Sequence, residues 1–154
     1  MTNRPNLSNG RGYLAIPGPS VMPEAVLQAM HRAAPNIYAG ELVDAMPDII
    51  DGLKRVARTE HYAAIYIGNG HAAWEAALSN VVAPGDRVLV PATGRFGHGW
   101  GDVATGLGAE AQVLDFGKST PMDLEVIAQA LAEDKDHRIK AVLAVHVDTS
   151  SSVL

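Results

Sequence analysis

A glycine-rich loop between a predicted strand and a predicted helix is the stretch of this sequence best suited to chemistry. Residues 65–78 read IYIGNGHAAWEAAL, so that an apolar run leads through Gly68, Asn69, Gly70 and His71 into an alanine-rich segment. The first backbone N–H groups of a helix have no partner within the helix, and the helix dipole adds positive charge there. Glycines keep side chains away from such donors. The loop is therefore predicted to bind an anion, most simply a phosphate group.

The same loop permits a second interpretation, which is dinucleotide binding. Residues 68–73 satisfy G-x-G-x-x-A, the relaxed NAD(P) fingerprint, which is a weak signal by itself. That fold also needs an acidic residue at the end of the second strand, where this chain has Pro91 and Ala92. No G-x-x-x-x-G-K-[ST] phosphate loop occurs. An NAD(P)-binding Rossmann-type domain stays open as the alternative, as does a tight turn with no ligand.

Composition narrows the other function classes. The chain has 154 residues, of which 47% are hydrophobic, and a net charge of -5. Its basic residues are scattered, so we expect no nucleic-acid partner. There is no cysteine and the six histidines lack H-x-x-x-H spacing, so we expect no metal site. The absence of cysteine also points to a reducing, cytoplasmic location, and no apolar run is long enough to predict a membrane span.

The elements that position the loop alternate between strand and helix after residue 60. The strands are nearly continuous apolar runs, which is typical of an α/β fold with a mostly parallel sheet and helices on both faces. Ligands of such sheets bind at the carboxyl ends of the strands. Strands are predicted at residues 63–67, 87–92, 109–116 and 139–147, and helices at 71–82, 98–107 and 122–134.

The first part of the chain has a different character. Residues 1–22 are rich in Pro, Gly and Asn and predict an extended arm, followed by a domain that occupies residues 23–154. Apolar residues recur at helical spacing in 23–33 and 41–60. Pro47 lies inside the second helix, where a kink or a restart is expected because proline has no N–H to donate.

Four sequence blocks, taken in order, resemble the N-terminal part of the class V aminotransferase family. The blocks are IPGPSVMPEAV, GNGHAAWEAALSNVVAPGDRVLV, GRFGHGW and HVDTSSSV. The similarity is greatest to its serine- or alanine-glyoxylate branch and covers nearly the whole chain from residue 14. It implies the large domain of a fold type I enzyme that uses pyridoxal 5'-phosphate (PLP). It also implies a homodimer.

The resemblance assigns the glycine-rich loop to the cofactor's phosphate. Asn69, Gly70 and His71 fall on the family's phosphate-binding triplet, which is usually Ser-Gly-His or Ser-Gly-Thr. Asn69 departs from the usual hydroxyl residue, but its side-chain amide can still donate a hydrogen bond to phosphate.

Further site residues follow from the same resemblance. Phe96 falls where the family places an aromatic ring against the cofactor, and Thr149 where it places a hydroxyl beside the phenolic oxygen. Gly18 matches a position near the substrate's carboxylate. His146 and Asp148 flank the end of the last strand, and they could form a metal pair or an acid/base couple. We expect instead that His146 is a hydrogen-bonded residue near the core.

The residues that the family uses for catalysis have no counterpart in this chain. PLP chemistry requires a lysine that binds the cofactor covalently and an acidic group beside the pyridine nitrogen. None of the four lysines, at positions 54, 118, 135 and 140, falls on the family's lysine position. We therefore expect the chain to be a portion of a longer protein. That protein is predicted to move an amino group from serine or alanine to a 2-oxo acid such as glyoxylate or pyruvate, and an inactive fragment is the remaining alternative.

Overall fold

The computed structural model describes residues 14, 16 and 18–154, which divide into two compact units. The first unit ends at Ile65 and the second runs from Tyr66 to Leu154. Most of the arm predicted at residues 1–22 lies outside the described residues, and the division at residue 23 stays a prediction. No helix in the described part of the chain combines the length and the apolar character needed to cross a membrane.

The first unit contains two helices, α1 at Glu24–Met30 and α2 at Glu41–Ala57. Helix α1 starts after Pro23 and carries an acidic residue in its first turn, which suits the helix dipole. Helix α2 continues through Pro47, so a restart at this proline is wrong. Proline removes one backbone hydrogen bond, and a helix of 17 residues retains enough others on either side to stay continuous.

The second unit is an α/β structure around a parallel sheet, as predicted. Within the described residues the sheet has three strands in the order β2-β1-β3, and β1 pairs in parallel with both neighbours. The apolar run of β1 is almost entirely buried, as expected for a central strand. The elements in chain order are α3 (Gly70–Val81), β1 (Arg87–Ala92), α4 (Arg95–Gly106), β2 (Glu110–Asp115), α5 (Leu124–Glu133) and β3 (Ile139–Val142).

The strand predicted at residues 63–67 is wrong. These residues form no strand, and Ile65, Tyr66 and Ile67 are exposed. A strand exists through hydrogen bonds to a neighbouring strand, and the described sheet has no partner for this segment. The last strand is also shorter than predicted, because pairing with β1 ends at Val142.

Helix α4 lies against the sheet through small residues, and this contact sets the position of its first turn. A Cβ atom added at Gly97 would lie 2.9 Å from the Cα of Ala92, and one added at Gly101 would lie 3.4 Å from a methyl carbon of Val90. The small size of these two glycines therefore permits the close approach of the helix to the sheet. Phe96 lies in the first turn of this helix, which begins shortly after β1 ends at Ala92.

Candidate functional site

The glycine-rich loop forms the N-terminus of α3. Asn69 is the N-cap residue, and its side-chain oxygen accepts a hydrogen bond of 3.2 Å from the backbone N–H of Ala72. Nothing in the described part of the chain accepts the N–H groups of Gly70 and His71. The cap uses the oxygen of Asn69 and leaves its amide NH₂ to donate. These groups suit an anion bound at the start of the helix.

The two glycines of the loop differ in how much space surrounds them. A Cβ added at Gly68 would lie 2.6 Å from the side chain of Ala72, so the loop could not fold tightly onto the helix with a larger residue. A Cβ added at Gly70 would meet nothing within 4 Å. The space beside the Cα of Gly70 is therefore open.

An aromatic cluster connects the starts of α3 and α4. The ring centroid of His71 lies 4.8 Å from that of Trp74 and 5.8 Å from that of Phe96. Trp74 in turn stacks on Trp100, with centroids 5.1 Å apart and planes inclined by 14°. Contacts of this kind add stabilisation beyond the burial of area. The cluster fixes the separation between the glycine-rich loop and Phe96, the predicted ring-stacking residue.

Trp74 and Trp100 were not identified from the sequence. Their signal was the spacing: Trp74 is three residues after His71, and Trp100 is four residues after Phe96, so that each pair shares a helix face.

A cavity of about 420 Å³ opens beside this cluster. Its volume falls within the range typical of small-molecule sites. Both His71 and Phe96 contribute to its wall, so the structure brings these two predicted residues together. The lining residues are His71, Arg95, Phe96, His98, Gly99 and Asp102.

Asp148 joins the turn that contains Thr149 to helix α4. Its side chain is 0% exposed, and one of its oxygens accepts hydrogen bonds from the backbone N–H groups of Phe96, at 2.8 Å, and Gly97, at 2.9 Å. Its other oxygen accepts from the backbone N–H of Ser150 at 2.9 Å and from the Ser150 hydroxyl at 2.6 Å. The carboxylate is thus the N-terminal cap of α4, supplied from 52 residues away.

The protonation of Asp148 reflects these contacts. Burial raises the pKa of this carboxyl, but the hydrogen bonds that it accepts outweigh burial and leave the pKa below its ordinary value. The group is therefore ionised at neutral pH.

The remaining predicted residues are not gathered around the cavity in the same way. Thr149 is exposed in the turn after β3, between the two residues that bind α4.

His146 is exposed, so its predicted place near the core is wrong. It lies in a part of the chain that leaves the sheet at Val142. The described residues contain no group of three side chains able to hold a metal ion, which leaves the pairing of His146 with Asp148 unsupported. Gly18 is exposed in the first unit.

Comparison with known proteins adds independent observations. No family model matches the chain. A serine–glyoxylate aminotransferase of Methylorubrum extorquens is 35% identical over 99% of this chain, which corresponds to 37% of that protein. A soluble hydrogenase 42 kDa subunit of Anabaena cylindrica is 36% identical over 92% of the chain and 37% of its own length.

Solved structures agree in fold. The crystal structure of an alanine–glyoxylate aminotransferase from Nostoc sp. aligns with a TM-score of 0.72 at 34% identity, covering 88% of this chain and 36% of that one. An aspartate aminotransferase from Thermus thermophilus gives a TM-score of 0.72 at 28% identity over 90% of the chain and 38% of its own length. The predicted resemblance and the α/β fold are confirmed. The chain spans little more than a third of the length of the relatives that it matches.

Proposed function

We propose that this chain, which resembles class V aminotransferases over nearly its whole length, contributes the cofactor seat of a PLP-dependent aminotransferase. The complete protein would move an amino group from a small amino acid, serine or alanine, to a 2-oxo acid such as glyoxylate or pyruvate. Support for this choice comes from relatives named serine–glyoxylate and alanine–glyoxylate aminotransferases, at 35% and 32% identity. The comparisons do not favour the dinucleotide interpretation.

The described residues fit PLP in three respects. The N–H groups of Gly70 and His71, with the amide of Asn69, offer donors without acceptors in the described chain, as a phosphate requires. Phe96 offers a flat ring at the wall of the adjacent cavity. Thr149 offers an exposed hydroxyl on the turn that is bonded to the backbone of Phe96 through its neighbour Asp148.

The contribution of this chain is binding and orientation. When bound, PLP supplies the electron sink that stabilises negative charge at the α-carbon of an amino acid. No lysine lines the cavity beside Phe96. We assign proton transfer to none of the described side chains there. The N–H groups of Gly70 and His71 would hold the phosphate of the cofactor and Phe96 would contact its ring, and the resemblance implies that Gly18 would lie near the substrate's carboxylate.

One observation carries the proposal: His71 and Phe96, from the first turns of two different helices, line a single cavity next to backbone donors that have no acceptor among the described residues. A phosphate loop alone would fit many ligands. A phosphate loop whose His71 ring lies 5.8 Å from the ring of Phe96 fits a phosphorylated planar ring.

The test uses the complete protein. We expect added PLP to give a visible absorption band, and borohydride to fix the cofactor onto a lysine outside this chain. Serine or alanine together with glyoxylate or pyruvate should then yield the exchanged amino and oxo acids. NAD or NADP should leave the melting temperature unchanged, whereas PLP should raise it. Protection by NAD(P) without any PLP adduct would overturn the proposal in favour of a dinucleotide module, and no response to either ligand would indicate an inactive fragment.

The proposal includes a homodimer in the cytoplasm. The resemblance supports the dimer, and the absence of cysteine supports a reducing compartment. Sedimentation of the purified complete protein would test the first point, since a monomeric mass at micromolar concentration would contradict it. Fluorescence imaging of the tagged protein would test the second.

A further inference from the structure

The turn that carries Thr149 is bonded to the helix that carries Phe96, although the two are far apart in the chain. We propose that Asp148 is a positioning residue that holds Phe96 and Thr149 as one unit around the cofactor ring. This inference rests on the proposed function, because it concerns the orientation of the same ligand.

The carboxylate of Asp148 divides its bonds between the two partners. Oδ2 faces the helix and accepts the N–H groups of Phe96 and Gly97. Oδ1 faces the turn and accepts both the N–H and the hydroxyl of Ser150. Because all four donors converge on a side chain that is 0% exposed, water cannot replace the carboxylate without opening the site.

Ser150 closes the connection into a ring of hydrogen bonds. Its oxygen accepts the backbone N–H of Arg95 at 2.7 Å while its hydroxyl hydrogen points to Asp148. Gly94 leaves room for this arrangement, since a Cβ there would lie 2.5 Å from Cγ of Asp148 and 2.6 Å from Oγ of Ser150. The contact therefore depends on three residues, Gly94, Asp148 and Ser150.

The N-termini of α3 and α4 consequently have different roles. At α4, the N–H groups of Arg95, Phe96 and Gly97 are all accepted by side chains of this chain, so no phosphate can bind them. At α3, the N–H groups of Gly70 and His71 have no such acceptor among the described residues. The internal carboxylate thus reserves α4 for holding the ring and leaves α3 for holding the phosphate.

The hydrogen bonds of Asp148 end at Phe96 and at the neighbour of Thr149, so they position the two predicted cofactor contacts as well as stabilise the fold. Phe96 donates directly to Asp148, and Thr149 lies between Asp148 and Ser150, which are both fixed. Backbone hydrogen bonds from Ser151 and Ser152 to the Asp148 carbonyl hold the turn itself together, whereas the hydrogen bonds that join the turn to α4 end on the side chains of Asp148 and Ser150. Loss of the carboxylate would release both cofactor contacts at once.

Three variants of the complete protein, loaded with PLP, remove these hydrogen bonds in different combinations. They are Asp148→Asn, Asp148→Ala and Ser150→Ala. Asn keeps an oxygen for the helix donors but leaves the Ser150 N–H without its acceptor, whereas Ala removes both. Asp123→Asn is the matched control, because Asp123 caps α5 by accepting the Glu125 N–H at 2.9 Å and does not line the cavity.

The first readout is affinity for PLP and for pyridoxal, which lacks the phosphate. If Asp148 positions the ring, Asp148→Ala should weaken both ligands by the same factor, roughly tenfold, which corresponds to about 1.4 kcal/mol. Asp148→Asn and Ser150→Ala should have smaller effects of the same kind, with a shifted visible absorption maximum. Asp123→Asn should change neither the affinities nor the spectrum. Weakening of PLP but not pyridoxal would overturn the assignment to the ring.

The second readout asks whether Asp148 acts through Phe96. In a Phe96→Leu background, Asp148→Asn should cost less affinity than it does in the wild type, the remaining loss acting through Thr149, whereas fully additive losses would overturn the inference. If Asp148→Ala does not fold, Asp148→Asn and Ser150→Ala decide the matter. If wild type binds PLP and these variants behave like Asp123→Asn, this inference falls and the proposed function stands. If wild type binds no PLP, the proposed function itself has failed.

Discussion

The two edges of the sheet each carry an acidic residue with a lowered pKa, but they are built in opposite ways. At the carboxyl edge, Asp148 is 0% exposed and is surrounded by backbone and hydroxyl donors. At the amino edge, the Glu110 side chain is 55% exposed and contacts Arg87 at 3.1 Å and Arg138 at 3.2 Å. The hydrogen bond from Arg87 and the charge of Arg138 lower the pKa of Glu110. The same direction of shift therefore marks a buried cap at one edge and a solvated ion pair at the other.

The larger of the two cavities does not lie at the candidate site. The larger cavity, of about 530 Å³, lies at the amino edge, where its wall includes Arg87, Asp134 and Lys135. Parallel sheets bind ligands at the carboxyl edge, where the strands lead into helix N-termini. The smaller cavity has that location and also has an aromatic wall. The chemistry of the lining residues is thus more informative than volume.

The largest effect on stability is expected from Asp148→Ala. It leaves the N–H groups of Phe96 and Gly97 and the Ser150 groups without their acceptor, and we expect the free energy of unfolding to fall by about 3 kcal/mol. Urea unfolding of the complete protein, followed by tryptophan fluorescence, measures the loss. A loss below about 0.5 kcal/mol, the range of ordinary surface substitutions, would remove the distinction between the edges.

The close approach of α4 predicts the next largest effect. Gly97→Ala places a Cβ 2.9 Å from the backbone of Ala92 and should lower the free energy of unfolding by roughly 1–3 kcal/mol. Gly99→Ala, in the same helix, meets nothing within 4 Å and should raise it by about 0.5–1 kcal/mol, because alanine favours helix. Thermal unfolding of both variants compares them directly. Equal effects would show that α4 does not lie against β1 as described.

Acid should abolish the contribution of Asp148. Because the pKa of Asp148 is lower in the folded state than in the unfolded state, its stabilisation is present above an unfolded pKa of about 3.9 and is lost as pH falls through the folded value. The difference in stability between wild type and Asp148→Asn should therefore shrink below about pH 4. Urea midpoints collected from neutral pH downward test this, and a difference that stays constant into strong acid would contradict it.

The smallest effect is expected at the amino edge. Glu110→Gln removes an exposed ion pair, so the loss of stability should be far smaller than for Asp148→Ala and should nearly disappear at about 1 M salt, where the Debye length is about 3 Å. The effect of Asp148→Asn should persist at the same salt, because its donors are buried backbone groups. Urea midpoints at low and high salt separate the two cases. Equal salt sensitivity would place both carboxylates in the same class.

The sequence predicted those parts of the fold that depend on local pattern. The apolar runs of β1 and β2 indicated a parallel sheet, and the glycine-rich loop indicated the start of α3. The capping role of Asn69 is a finding of the structure. The strand predicted at 63–67 failed because pairing is not a local property. Helix α4 begins at Arg95, whereas the predicted helix begins at residue 98.

The candidate site was predictable only in part, for a similar reason. Phe96 and Thr149 were identified through a resemblance, and their roles stay predictions. The bond between Asp148 and the helix spans 52 residues, and no pattern along the chain records it. In the sequence Asp148 stands out only as a neighbour of His146, because a buried cap from a distant segment is visible only in three dimensions.

A crystal structure of the complete protein with PLP would decide whether the carboxyl edge of this sheet holds the cofactor. We expect the phosphate within hydrogen-bond distance of the backbone N–H groups of Gly70 and His71, and the ring against Phe96 with Thr149 at its edge. Electron density for the cofactor away from α3, or a ring that contacts neither Phe96 nor Thr149, would contradict the proposed site.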